Sequence, residues 1–259
     1  MFADIGIFVV IGLIAQLVDG ALGMAYGLIS TSFLLAIGTP PAVASASVHA
    51  AEIVTTGLAG GSHAWHRNID WRLFRRLASA GVLGGVLGAY VLTELPLRII
   101  KPLVTLYLVS VTALITYRLF TGRPARHLHA LGTAPVAAAG GFLDAVGGGG
   151  WGPIVTSTLV ARGDNPRYAV GSASLCEFLV TMAISAAFFA TLELGSYWRV
   201  ILGLVIGGAI AAPFAGWFSR VLPQRVLMGA VAVVVGCLAI HGIVRLLCEL
   251  ILLCDAWRR

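Results

Sequence analysis

The sequence predicts an all-α polytopic membrane protein built from two homologous repeats. Three observations carry that reading. Hydrophobic residues fill 59% of the 259 positions and charged residues only 11%, where a soluble domain carries about 25% charged residues. The apolar stretches are continuous and long enough to cross a bilayer as helix, which takes about 20 residues; they lack the alternation of an outer-membrane barrel. Finally, the second half repeats the first in register. Asp19 to Gly27 aligns with Asp144 to Gly152 at a fixed offset of 125 residues. The match continues through Thr31/Thr156, Ser32/Ser157, Pro41/Pro166, Ser47/Ser172 and Glu52/Glu177. With two extra residues in the second copy it resumes at Trp71-Arg72/Trp198-Arg199 and runs on to Arg118/Arg245.

Each repeat reads as about four helical segments. Segment 1 (residues 5–37) is too long for one ordinary span and is interrupted at 19–27. Segment 2 (41–59) begins on a proline, which suits the first turn of a helix. A basic loop follows at 63–76. Segment 3 (77–92) spaces Gly81, Gly84, Gly85 and Gly88 so that another helix can approach closely. Segment 4 (99–117) closes the first repeat, 1–120, and a basic loop at 121–131 leads to the second, 132–259. Segment 5 (133–161) is broken like segment 1, here by Gly147-Gly148-Gly149-Gly150-Trp151-Gly152-Pro153. Segments 6, 7 and 8 cover 166–190, 197–218 and 226–254. The broken segments either cross the membrane, giving eight spans and parallel repeats, or re-enter as hairpins, giving six spans and inverted repeats. Basic loop residues lean to the hairpins under the positive-inside rule. Interrupted segments at matching places in two halves point to a transporter site at an inverted pseudo-twofold, and that is the expected arrangement.

The breaks carry the candidate chemistry. Glycine runs give no packing side chains, and non-helical backbone at membrane depth is tolerated only inside protein or beside a wet cavity. A helix restarting there offers amides and hydroxyls to an anion. The candidate substrate-binding residues are Ala25, Tyr26, Gly27, Ser30 and Thr31 in the first break, and Gly148, Gly149, Gly150, Trp151, Gly152, Thr156 and Ser157 in the second. Neither break holds a lysine or arginine, so helix dipoles would meet the charge. Asp19 and Asp144 end the first half-helices; each is either a carboxylate bonded to loop amides or a proton carrier. Helical spacing puts Ser45, His49 and Glu52 near one face. The second copy keeps Glu177 but has Ser174 in place of His49. These five residues, Asp19, Asp144, His49, Glu52 and Glu177, are the proton-coupling candidates, with interhelical hydrogen bonding as the plainer role.

The remaining residues read as structure. Trp71 and Trp198 are interfacial anchors. His63 and His66 form an HxxH too weak to stand as a metal site. Cys176, Cys237, Cys248 and Cys254 form no CxxC pair and are expected as small core residues. The net charge of +6 belongs to loops beside spans and is no nucleic-acid signal. The N-terminus has no basic region ahead of its apolar run and no small-residue cleavage site, so it is not expected to be a cleaved signal.

The glycine-broken segment, the stretch Gly38-Thr39-Pro40-Pro41 and the string Arg67-Asn68-Ile69-Asp70-Trp71-Arg72 together resemble the TauE/SafE family of sulfite and organosulfonate transporters. The resemblance covers essentially the whole chain. It departs in the first break, where the glycine run is thinned to Gly23 and Gly27 with Met24 and Tyr26 interposed. The resemblance implies a multi-pass protein of a bacterial inner membrane that moves a small sulfur-containing anion such as sulfite, thiosulfate or sulfoacetate, coupled to an ion gradient. Expected partners are that anion, the bilayer and protons or another coupling ion; a homo-oligomer is left open, and no cofactor or metal is implied. An uncoupled, channel-like carrier is the nearest alternative. An intramembrane enzyme using His49, Glu52 and nearby serines lacks a matched oxyanion hole and an HExxH-type spacing. A structural subunit of a larger complex is a further alternative.

Overall fold

A computed structural model describes residues 5–22, 26–121, 132–156, 158–159 and 166–221, with scattered helical positions from 229 to 248. Ala25, Ser157, residues 122–131 and most of segment 8 lie outside the described residues. The described chain is all-helical: α1 (Ile5–Leu22), α2 (Tyr26–Ala36), α3 (Pro41–Trp65), α4 (Trp71–Glu94), α5 (Leu97–Thr121), α6 (Thr133–Gly147), a π-helical turn (Gly152–Thr156), α7 (Pro166–Thr191) and α8 (Trp198–Val221). Five of these, α3, α4, α5, α7 and α8, are long and apolar enough to cross a bilayer. The protein is embedded in a membrane and crosses it several times. By contrast, α2 has 11 residues and α6 has 15. At 1.5 Å per residue they measure about 16 and 22 Å, short of a hydrocarbon core of about 30 Å.

Local chemistry explains where the helices stop. α6 ends where the four-glycine run begins. Gly148 closes it in the left-handed region at φ 68°, its N–H donating to the Asp144 carbonyl at 2.6 Å. Glycine adopts that conformation without steric cost. α2 ends in a Schellman motif: Thr39 N–H donates to Leu34 O and Gly38 N–H to Leu35 O, with Gly38 at φ 92°. Pro40 and Pro41 then start α3. The string from Arg67 to Arg72 is a helix start. The Asp70 carboxylate accepts from Arg72 N–H and Leu73 N–H and caps α4. The same loop is tied to α7, since Asp70 N–H donates to Ser172 Oγ at 2.9 Å.

The helices pair across the halves. α1 lies along α8, α6 along α4, and α3 along α7. Small residues allow the close approach. A Cβ on Gly88 would lie 2.5 Å from the Phe142 carbonyl, and one on Gly84 would overlap that of Ala138. Paired numbers rise together, so α4 and α6 run parallel. Gly203 against Phe8 and Gly207 against Leu13 make α1 and α8 parallel as well. α4 and α7 are also parallel, with Gly81 against Val180 and Gly85 against Ile184. α3 and α7 run oppositely, with Gly57 facing Phe178 and Gly60 facing Leu175. Cys176 is buried and its thiol donates to Phe74 O. Cys237 and Cys248 are exposed rather than in the core, as apolar residues facing lipid can be.

Candidate functional site

The two helix breaks touch. A Cβ on Gly27, in the first turn of α2, would overlap the Gly148 carbonyl oxygen and lie 2.8 Å from Gly149 Cα. One on Gly149 would overlap the Leu28 amide nitrogen. Thr31 fastens the junction by donating from Oγ1 to Gly148 O at 3.2 Å. Tyr26, Gly27, Ser30 and Thr31 are buried, as is the chain from Gly148 to Pro153. Ser30 Oγ has no hydrogen-bond partner among the described residues. Thr156 is partly exposed at the end of the π-helical turn.

Three of the second break's amides expected to be bare are occupied. Asp144 Oδ1 accepts from Gly150 N–H at 2.7 Å and from Trp151 N–H at 3.0 Å. Ile154 N–H goes to Gly150 O at 3.2 Å. The first break is built alike: Tyr26 N–H, the aligned position, donates to Asp19 Oδ1 at 3.2 Å. A carboxylate so held satisfies the orphaned donors of a restarting helix. Both breaks thus set a carboxyl oxygen of the chain itself where the sequence reading put a solute. The Trp151 ring is fully buried against Gly81 on α4, and its Nε1–H donates to Ala173 O on α7 at 3.0 Å. Tyr26 likewise donates its hydroxyl to Leu204 O at 2.9 Å. These two aromatic side chains anchor the breaks to the surrounding helices.

All five acid–base candidates converge on this junction. Asp144 is 2% exposed, Glu52 4% and His49 fully buried, whereas Asp19 and Glu177 are partly exposed. Asp19, Asp144 and Glu177 all lie within electrostatic range of Glu52. Glu52 Oε1 lies 2.8 Å from the point a Gly27 Cβ would occupy. His49 Nε2 sits 3.3 Å from Asp144 Oδ2. Its Nδ1 is 2.8 Å from Ser45 O and 3.3 Å from Ser45 Oγ. A carbonyl has no proton to give, so Nδ1 carries one and donates. Ser45 Oγ in turn donates to Ala145 O at 2.5 Å, tying α3 to the end of α6. Four carboxyl groups and one imidazole, from α1, α3, α6 and α7, are therefore gathered around one junction.

Both breaks and the whole acidic group fall inside residues 8–242, which match the family described as sulfite exporter TauE/SafE. The chain belongs to the TauE/SafE family. It is accordingly a membrane transporter and not an enzyme. Over 232 residues it is 43% identical to the probable membrane transporter protein YtnM of Bacillus subtilis (strain 168), covering 86% of this chain and 77% of that relative. No solved structure matches it. In this TauE/SafE chain one residue at the junction escaped the sequence reading. Tyr107 on α5 packs its ring on Gly147, and its hydroxyl has no partner among the described residues. The aligned position in the second half is Val234, so the repeat gave no signal for it.

Proposed function

We propose that the chain is a secondary transporter of a small sulfur-containing anion (sulfite, thiosulfate, sulfoacetate or a related sulfonate) across a bacterial inner membrane. The substrate binds where the two breaks meet. The observation that carries this reading is the direct contact of Gly27 with Gly148 and Gly149, which brings two restarting helices and the Ser30 and Thr31 hydroxyls to one place.

The proposed architecture is a pair of inverted repeats with re-entrant breaks. Support comes from helix direction: α3 and α7 hold aligned segments yet run oppositely. α6 runs parallel to α4, and α4 to α7, so the chain between α6 and α7 doubles back. The same logic applies to α1, which runs parallel to α8. Consecutive spans α7 and α8 run oppositely, so α8 and α1 both follow the direction of α3. Each break then sits inside the bilayer with a carboxylate at its mouth, an arrangement suited to coupled transport.

The test is uptake into proteoliposomes containing the purified chain, offered sulfite, thiosulfate, sulfoacetate or sulfate with and without an imposed pH gradient. At least one of the first three should accumulate in response to the gradient. Flux indifferent to the gradient would mark an uncoupled carrier instead. No flux of any of the four from folded protein would remove the reading.

A further inference from the structure

We infer that the Asp144 carboxylate is the resident anion of the second break, and that a proton passed from His49 Nε2 to Asp144 Oδ2 releases the Gly150 and Trp151 amides to an incoming substrate anion. This rests on the transport reading above and deepens it by naming the group that the substrate displaces.

The geometry divides the two oxygens of Asp144 between two tasks. Oδ1 takes both amides of the restarting helix, while Oδ2 faces the imidazole. Nδ1 of His49 is committed to Ser45 O, which leaves Nε2 as the one position on the ring where a proton is gained or lost. Before the substrate arrives the ring holds its proton on Nδ1, and a proton taken from solvent at Nε2 makes the imidazolium that faces the carboxylate. In the transfer the Nε2–H bond breaks and an Oδ2–H bond forms. The electron pair stays on Nε2, which then accepts a hydrogen bond from the new acid. His49 becomes neutral with its proton on Nδ1, and Asp144 becomes a neutral carboxylic acid. Hydrogen bonds to an ionised acceptor are roughly twice as strong as those to a neutral one. The hold of Asp144 on the two amides therefore falls by about half, and a fully charged oxyanion displaces it.

A second observation points to a ligand here. The Tyr107 hydroxyl is buried, lies within electrostatic range of Asp144 and Glu52, and has no hydrogen-bond partner among the described residues. It is an unclaimed donor at the end of α6. Glu52 on α3, Tyr107 on α5 and Glu177 on α7 lie within electrostatic range of Asp144, and Asp19 on α1 and Tyr26 on α2 lie within range of Glu52. Among these groups and the His49–Asp144 pair only His49 has a cationic form, so only it can hand over a proton and end neutral. The aligned position in the other half is Ser174, so the exchange is built into the second break alone. One proton thus enters the pair for each anion bound.

The test uses the full chain in weakly buffered detergent, with thiosulfate as probe because it stays ionised near neutral pH. The wild type should take up about one proton per thiosulfate bound. Its affinity should fall about tenfold per pH unit once the pair has lost its proton. Infrared difference spectra should gain a protonated-carboxyl band on binding. Asp144→Asn should bind thiosulfate with no proton uptake, a flat pH profile and no such band; His49→Gln should be flat likewise. Retention of the wild-type proton count and pH slope in Asp144→Asn overturns the inference and leaves the transport reading standing. Binding to wild type without the carboxyl band overturns it even if both variants fail to fold. A wild type that neither binds nor moves thiosulfate, sulfite or sulfoacetate removes the transport reading, and the inference with it.

Discussion

Replacing Gly27 by alanine tests whether the breaks touch in the working protein. The added methyl would overlap the Gly148 carbonyl oxygen and sit 2.8 Å from both Gly149 Cα and Glu52 Oε1. Two of the three obstacles are backbone, which yields less readily than a flexible side chain. Overpacking of this kind costs about 1–3 kcal/mol, against a gain of about 1 kcal/mol in helix propensity. Gly61 provides the control. It lies in α3 with nothing within 4 Å of an added Cβ, so Gly61→Ala should be neutral or stabilising by up to about 1 kcal/mol. The two variants should therefore differ by about 1–3 kcal/mol in unfolding free energy, with Gly27→Ala the less stable. The assay is thermal unfolding of both proteins in one detergent, followed by initial uptake rates in proteoliposomes. Gly27→Ala should lose most of its uptake and Gly61→Ala none. Equal midpoints and equal rates would refute the contact, and with it the site.

Two further substitutions probe the supports of the junction. Thr31→Val keeps the shape but removes the bond to Gly148 O; leaving that buried carbonyl unpaired should cost about 1–3 kcal/mol, read as a lower unfolding midpoint. Asp70→Ala removes the cap of α4 and should cost about 0.5–2 kcal/mol, while uptake per folded molecule stays at the wild-type level; selective loss of uptake at unchanged stability would show that the family string does more than start a helix.

How much of this could be read beforehand depends on range. Helix ends are local properties, so Gly147 to Gly150 and Pro153 marked the second break within a residue or two. The aligned Asp19 marked the first despite its thinner glycine content. The duplicated register also picked out both acidic pairs. Their gathering into one group is long-range: His49 and Asp144 are 95 positions apart, and no helical spacing relates them. Amide occupancy was legible only as an alternative, because a carboxylate six residues before Gly150 can fold back or point away with equal ease. Trp151 looked like a binding residue by its place in the glycine run. Its ring fills the space that Gly81 leaves open on α4. That complementarity joins two segments far apart in sequence and emerges only in three dimensions. Tyr107 stayed hidden because the filter that found the rest was repetition, and it has no twin.

The cross-pairing of α1 with α8 and of α6 with α4 has a consequence for how such a chain must be assembled. Each half's interrupted helix leans on an intact helix of the other, so neither half is a self-sufficient folding unit. Severed between Thr121 and Gly132, the two fragments should be insoluble or short-lived alone and should recover together when co-expressed.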